Sequence, residues 1–150
     1  MIQRLQSLYL LLTTLLSFLF LKSGFIAFSD ESGAVIYFTI AGLSRDSGPL
    51  IGTLPVTLLI IFIPLLSLIT IFLFKNRKLQ LILSKVLLAL VSAFIIVLII
   101  YSYIVINRHN AELVPGIRMS APVLQLILVV LAYRGIRKDD DLVKSYDRLR

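Results

Sequence analysis

Few residues in this sequence combine a reactive type with a spacing that supports catalysis. The best candidates are the acidic triplet Asp139, Asp140 and Asp141 and the single histidine, His109. Consecutive residues on a helix point in different directions, so we expect the triplet to cap the start of a helix rather than to bind a metal ion. His109 stands in a polar stretch after an apolar segment, where we expect it to be solvated. The sequence contains no cysteine, which excludes disulfides and thiolate chemistry.

The hydroxyl groups of the apolar segments also lack a neighbouring base that could activate them. The sequence shows no paired carboxylates inside an apolar segment, no metal-ligand spacing and no phosphate-binding glycine loop. We therefore predict that the protein is not an enzyme and that it holds no cofactor and no metal ion.

The composition is typical of a membrane protein. Of the 150 residues, 59% are hydrophobic and 15% are charged, whereas soluble domains carry about 25% charged residues. The net charge of +7 does not indicate nucleic-acid binding, because the cations stand at the ends of apolar runs and near the carboxyl terminus rather than on one continuous basic surface. We predict that a lipid bilayer surrounds this chain and that the chain binds no nucleic acid.

Four apolar segments are long enough to cross a membrane, since a helix needs about 20 residues to span a hydrocarbon core of about 30 Å. They lie at 5–27, 53–74, 82–106 and 115–136. The last one is short between Arg118 and Arg134, so both arginines must extend toward the head groups. We predict one integral membrane domain, 1–150, that is an all-α bundle of four transmembrane helices with a cytoplasmic tail at 137–150.

The connections between these segments carry their own signals. Polar residues separate two β-prone runs, 25–28 and 34–43, and the second run alternates along its length, which predicts a small β-hairpin on the outer end of the bundle between helices 1 and 2. Residues 45–49 indicate a loop. The run 74–80 holds three cations and predicts the bend between helices 2 and 3, followed by the start of an interfacial helix.

The tail has the pattern of an amphipathic helix. Its apolar residues recur at i, i+1, i+4 and i+7, namely Leu142, Val143, Tyr146 and Leu149. The acidic triplet at its start and Arg148 and Arg150 at its end match the polarity of a helix dipole. Two roles stay open: a helix that lies on the membrane surface or under the bundle, and a helix that docks a cytoplasmic partner.

Positive residues predict the orientation, because cytoplasmic segments carry an excess of Lys and Arg. With the amino terminus inside, 11 of the 15 Lys and Arg residues are cytoplasmic. These are Arg4, Lys75, Arg77, Lys78, Lys85, Arg134, Arg137, Lys138, Lys144, Arg148 and Arg150. The opposite orientation leaves the majority outside. We therefore predict that both termini are cytoplasmic.

Three residues are candidate polar or kink positions of the bundle. Pro64 lies near the middle of the second segment and is expected to kink its helix. Gln125 is an amide in an apolar segment, where we expect it to form an interhelical hydrogen bond. Arg118 stands at the outer end of the fourth segment. If the protein is a small transporter or channel subunit, these are its candidate gating or substrate residues.

Four strings in this sequence resemble a known family. They are 1–12, which reads MIQRLQSLYLLL, 71–80, which reads IFLFKNRKLQ, 132–139, which reads AYRGIRKD, and 142–150, which reads LVKSYDRLR. They are similar to small bacterial inner-membrane proteins catalogued as a domain of unknown function, family 4293. The resemblance implies four transmembrane helices with a short outer hairpin region, and it implies no activity.

The most recognisable of these strings lie on the side that the charges assign to the cytoplasm. We therefore predict a cytoplasmic contact surface for a protein partner or for anionic lipid. Its candidate residues are Lys75, Arg77, Lys78, Arg134, Arg137, Lys138, Leu142, Tyr146 and Arg148. The function expected from the sequence is that of a non-catalytic accessory or scaffold subunit of a larger complex in the bacterial inner membrane. Its candidate protein partners are other subunits of such a complex or further copies of the same chain in a homo-oligomer. The alternatives are a small transporter or channel subunit and, more remotely, an intramembrane enzyme.

Overall fold

Four helices form a ring in the computed structural model, which describes residues 2–22, 26–29, 35–39, 42–45, 48–51 and 54–147. The helices are α1 (Ile2–Lys22), α2 (Leu54–Phe72), α3 (Arg77–His109) and α4 (Ala121–Asp147). Each helix packs against its neighbours in the sequence, and α4 closes the ring on α1. The ends of α1 and α4 meet in antiparallel order, since Gln6 contacts Asp139 and Ser17 contacts Gln125.

Three of the helical segments are long and apolar enough to cross a membrane. They are Leu54–Phe72, Arg77–Arg108 and Ile117–Val143, while α1 contains a shorter apolar stretch, Leu5–Phe20. The outward face of α2 is apolar, and Leu58, Phe62 and Leu65 are each about half exposed. Such a face is stable where lipid tails rather than water surround it. The prediction of a mostly helical protein with membrane-spanning character is therefore confirmed in its coarse form.

The centre of the ring is packed with aliphatic and aromatic side chains. Leu10, Ile60, Val91 and Val129 are fully buried and come from the four different helices. The rings of Phe20 and Phe94 meet across the core with their centroids 5.7 Å apart. This continuous core means that the four helices form one packing unit.

Small polar residues line the inner face of α1. Thr13, Thr14 and Ser17 are buried, and each hydroxyl donates a hydrogen bond to the carbonyl oxygen four residues earlier in the helix. The Oγ atom of Ser67 in α2 instead reaches across the interface and donates to the Leu10 carbonyl at 2.8 Å. Hydroxyl groups of this size let two helix backbones approach closely.

A single residue makes the bend between α2 and α3. A 3-10 turn, Leu73–Lys75, ends at Asn76, which adopts a non-helical conformation before α3 begins at Arg77. The Asn76 side chain accepts a hydrogen bond from the Leu79 backbone N–H at 3.4 Å, which is the N-cap arrangement. The predicted interfacial helix before residue 82 is therefore not a separate element, because α3 continues without interruption for 33 residues.

A five-stranded antiparallel sheet stands where the sequence predicts a single hairpin. Its strands are β1 (Ala27–Ser29), β2 (Val35–Thr39), β3 (Gly42–Arg45), β4 (Gly48–Ile51) and β5 (Glu112–Val114), in the order β4-β3-β2-β1-β5. The predicted hairpin is present as β1 and β2. The fold is mostly helical as predicted, but its sheet is larger than one hairpin, and Arg45, Gly48 and Pro49 belong to strands rather than to the loop predicted at 45–49.

Two features of the sheet explain these differences. Pro49 lies in β4, which is an edge strand of the sheet. Proline is tolerated in edge strands because one side of such a strand forms no ladder hydrogen bonds that its missing N–H group would remove. β5 comes from the α3–α4 connection and pairs with β1, so its three residues gain their strand conformation from a contact that is distant in the sequence. Local patterns do not reveal such a partner.

Aromatic packing fixes the sheet to the helices. Phe28, Ile36 and Phe38 are fully buried, while Tyr37 between them is 41% exposed, which confirms the predicted alternation. The ring of Phe38 packs edge-on against Tyr101 of α3 with centroids 6.0 Å apart. The sheet therefore covers one end of the ring, which we call the sheet end.

The helix bounds differ from the predicted segments at three places. α1 spans Ile2–Lys22, and residue 27, which was predicted to end this helix, belongs to β1 instead. Residues 115 and 116 are not helical, and a 3-10 turn, Ile117–Ser120, precedes α4. The tail is not a separate helix, because α4 runs from Ala121 to Asp147, and so the acidic triplet lies inside a helix instead of at its cap.

Candidate functional site: a basic groove between α3 and α4

A groove of about 660 Å3 lies between α3 and α4 at the end of the ring opposite the sheet. It is lined by Leu88, Val130, Tyr133, Arg134, Arg137, Lys138, Asp141 and Leu142. Four of these residues belong to the contact surface predicted from the sequence: Arg134, Arg137, Lys138 and Leu142. We call this feature the basic groove.

The periodicity of α4 places the three cations together. Arg134, Arg137 and Lys138 are related by three and four residues, so their side chains leave the helix on the same face. Residues on the opposite face, Ala132 and Ile136, are fully buried against the bundle. One helix therefore presents an apolar face to the core and a cationic face to the groove.

A close contact with α1 holds α4 in this rotation. The Nε2 atom of Gln6 donates a hydrogen bond to Oδ2 of Asp139 at 2.8 Å, and Gln6 is almost fully buried. A Cβ atom added to Gly135 would stand 2.8 Å from Cγ of Gln6, so only glycine fits there without displacing the neighbouring side chain. This contact fixes one side of α4 and leaves the cationic side open.

The charges in the groove are largely uncompensated. Nε of Arg137 lies 4.0 Å from Oδ2 of Asp141, and both side chains are about two-thirds exposed. An exposed ion pair of this kind contributes little to stability. With three cations and one carboxylate, the lining carries a net charge of about +2.

Of the remaining predicted contact residues, Arg77 and Lys78 do not line the groove. Arg77 and Lys78 begin α3 at the same end of the ring, but Leu88 is the α3 residue that lines the groove, eleven residues after Arg77, or about 16 Å along the helix. Lys75 lies in the 3-10 turn before Asn76, and Tyr146 lies in the last turn of α4. Their side chains, and Arg148 as a whole, are outside the described residues.

The three candidate bundle positions do not form one site. Pro64 is buried inside α2, which continues through it. Gln125 is fully buried, and its Nε2 atom donates a hydrogen bond to Oγ of Ser17 at 2.7 Å, which is the interhelical bond that the sequence predicts. Arg118 is exposed in the 3-10 turn before α4.

The acidic triplet does not converge on a common point. Asp139 contacts Gln6 of α1, Asp140 is buried, and Asp141 lies beside Arg137 in the groove. Within residues 54–147 and the other described ranges, no group of three His, Cys, Asp or Glu side chains is arranged to hold a metal ion.

Two features of the site were not predicted from the sequence. The apolar part of the groove is formed by Leu88, Val130 and Tyr133, although the spacing of Val130, Arg134 and Lys138 at four-residue intervals places these three residues on one helix face. A second groove of about 420 Å3 lies between α3 and α4 near the sheet end, and it is lined mostly by aliphatic side chains, among them Leu98, Ile99 and Val123.

One comparison with known proteins gives a match. The family model DUF4293, described as a domain of unknown function, matches residues 2–149. No curated protein and no solved structure matches the chain.

Proposed function

Since the chain belongs to the DUF4293 family, whose function is unknown, we propose a function from the geometry of the chain itself. The protein is a multi-pass subunit of the bacterial cytoplasmic membrane with four spans and cytoplasmic termini, and it acts as a non-catalytic accessory or scaffold subunit. The observation that carries this proposal is the collection of Arg77, Lys78, Arg134, Arg137 and Lys138 at one end of an apolar ring of helices.

Helix lengths support four spans. α3 and α4 have 33 and 27 residues, or about 50 and 40 Å, which exceeds a hydrocarbon core of about 30 Å. α1 has 21 residues, or about 31 Å. The excess length of α3 and α4 carries their charged ends beyond the hydrocarbon, where a partner subunit has access to them.

The polar groups inside the ring support a structural role. Ser17, Ser67 and Gln125 are buried and form hydrogen bonds between or within helices. None of these side chains is paired with an ionised base in the described contacts, and hydroxyl groups without a base are poor nucleophiles.

Single introduced cysteines test the orientation directly, because the natural chain contains none. We expect Glu112→Cys in β5 to react with a membrane-impermeant maleimide in intact cells, and Arg77→Cys to react only after the membrane is opened. Labelling of position 77 from outside, with position 112 protected, contradicts the proposed topology.

Purification in a mild detergent tests the scaffold role. We expect the tagged protein to migrate in a complex of defined stoichiometry that the double variant Arg77→Gln/Lys78→Gln disrupts. The matched control, Arg108→Gln/Arg118→Gln, removes the same charge at the sheet end and should leave the complex intact. Migration of the natural protein as a lone oligomer contradicts the scaffold role.

A small transporter or channel subunit is the second candidate, and Gln125 is the residue that favours it. Its Oε1 atom is buried and accepts no hydrogen bond from the described residues, so an acceptor inside the ring is left for a polar solute. Solute flux into vesicles that contain the purified protein, and loss of this flux in Gln125→Leu, would support this candidate over the scaffold.

A further inference from the structure

The basic groove changes from apolar to cationic along the axis of α4. Leu88 and Val130 form its apolar part, and Arg134, Arg137 and Lys138 follow. Val130 and Lys138 are eight residues apart, or about 12 Å along the helix. In a helix that spans a membrane this axis runs from the hydrocarbon toward the head groups, so the polarity of the groove follows the polarity of a phospholipid.

The chemistry of the cations selects for phosphate. Guanidinium groups bind phosphate oxygens through two parallel hydrogen bonds, and an ammonium group adds a mobile point charge. Arg134 and Lys138 form no ion pair with any described residue, while Arg137 has only the exposed contact of 4.0 Å with Asp141. A phosphodiester next to these side chains gains both charge neutralisation and hydrogen bonds.

The depth of the arginines strengthens this match. Arg134 follows the apolar run of α4 directly and lies in the same groove as Leu88 of α3, which stands three residues after Lys85 at the start of the apolar run of that helix. An arginine near the hydrocarbon boundary is stabilised by an anion that lies at the same depth in the membrane. Basic pockets between transmembrane helices on the cytoplasmic side are the type of site that binds anionic lipid head groups.

We propose that the basic groove binds an anionic phospholipid, with the phosphate at Arg134, Arg137 and Lys138 and an acyl chain along Leu88 and Val130. The assignment of this lipid to the inner leaflet rests on the proposed orientation, whereas the binding itself does not. The proposed orientation and the proposed lipid site can therefore be contradicted independently. Cysteine labelling tests the orientation in cells, and lipid titration tests the groove in purified protein.

The experiment is a titration of the purified full-length protein in detergent, followed by native mass spectrometry, with phosphatidylglycerol or phosphatidylcholine as the probe. Each cation near an anionic lipid contributes about fivefold in affinity. We therefore expect phosphatidylglycerol to bind more tightly than phosphatidylcholine, and Arg134→Gln/Arg137→Gln/Lys138→Gln to weaken phosphatidylglycerol about 100-fold at about 0.15 M ionic strength, where the Debye length is about 8 Å.

The matched control is Arg77→Gln/Lys78→Gln, which removes two cations at the same end of the ring, about 15 Å or more along α3 from Leu88. We expect it to bind phosphatidylglycerol within about threefold of the natural protein, since charges more than a Debye length away are screened. A loss of about tenfold or more in this control overturns the proposal, because it shows a general charge effect.

A variant with the opposite sign separates binding from misfolding. Asp141→Asn removes the one carboxylate of the groove and releases Arg137, so we expect it to strengthen phosphatidylglycerol binding about fivefold. Glu112→Gln removes one negative charge at the sheet end and should change nothing. Weaker binding in Asp141→Asn overturns the proposal.

Competition experiments identify the occupant. We expect inorganic phosphate and soluble glycerol phosphate at millimolar concentration to leave the bound lipid in place, because the acyl chain contributes to binding. Displacement of the lipid by either anion, or tighter binding of a soluble acidic peptide than of phosphatidylglycerol, overturns the assignment to a lipid.

Discussion

On one side α4 meets α1 through two interhelical hydrogen bonds, Gln6 to Asp139 and Gln125 to Ser17, and through the close approach at Gly135. On its other side α4 meets α3 around two grooves of about 660 and 420 Å3. We call these the α1–α4 seam and the α3–α4 seam. The same helix thus forms interhelical hydrogen bonds on one face and borders two grooves on the other.

This difference shows how a membrane bundle separates stability from recognition. Lipid tails are as apolar as leucine, so helices in a bilayer are held by close packing and hydrogen bonds rather than by the hydrophobic effect. The α1–α4 seam uses both. The α3–α4 seam is also packed, but aliphatic and cationic side chains border two grooves along it, and the space in these grooves is open to a lipid.

The largest effect is expected where the α1–α4 seam is tightest. Gly135→Val places side-chain atoms where Cγ of Gln6 already stands, so we expect it to lower the free energy of unfolding by about 2 kcal/mol. Gly116→Val is the matched control, since nothing lies within 4 Å of its Cβ position. The measurement is unfolding in sodium dodecyl sulfate followed by circular dichroism. Equal losses in both variants contradict a specific contact at Gly135.

A smaller effect is expected from the hydrogen bond between Gln125 and Ser17. In a double-mutant cycle of Ser17→Ala and Gln125→Leu, we expect a coupling energy of about 1 kcal/mol in the same unfolding assay. Ser84→Ala is the control, because Ser84 is equally buried and its hydroxyl donates within its own helix to Leu81. Additive losses in the cycle show that the bond does not hold the seam.

A still smaller effect is expected from added volume in the α3–α4 seam. Ser102 lines the groove near the sheet end, so Ser102→Leu should change the free energy of unfolding by no more than about 0.5 kcal/mol. Ser17→Leu adds the same atoms to the packed α1–α4 seam and should cost about 1–3 kcal/mol. Similar costs for the two variants remove the contrast between the seams.

The smallest effect on stability is expected from the cations of the basic groove. The exposed Arg137–Asp141 pair contributes little, so the triple variant Arg134→Gln/Arg137→Gln/Lys138→Gln should unfold like the natural protein in detergent without added lipid. With phosphatidylglycerol present, only the natural protein should gain stability, because a ligand stabilises the state that binds it. A large loss without lipid assigns these cations a structural role.

The helices, the buried amide and the cations of α4 were largely predictable because their signals are local. The apolar runs predicted α2 closely and the central part of α3, and the amide in an apolar segment predicted the bond from Gln125 to Ser17. The spacing of Arg134, Arg137 and Lys138 placed three cations on one face. Each of these conclusions needs only helical periodicity.

The features that depend on distant partners were not predictable in this way. β5 becomes a strand by pairing with β1, and Gly135 is permitted inside α4 by its contact with Gln6. The separate tail helix was a wrong prediction, since the charges at 137–141 suggest a boundary that tertiary contacts override. The apolar half of the basic groove is likewise formed by residues of two helices, so no single segment of the sequence reveals it.

The pairing of β1 with β5 also determines when the sheet can be completed during synthesis. Ser29 pairs with Glu112, and at synthesis rates of about 5–20 residues per second roughly 4 to 17 seconds separate the two. During that interval one edge of β1 is an unpaired strand, the kind of surface that attracts wrong partners. The edge closes only when the segment between α3 and α4 has been made, so protection of the β1 amides that face β5 reports that synthesis has passed β5.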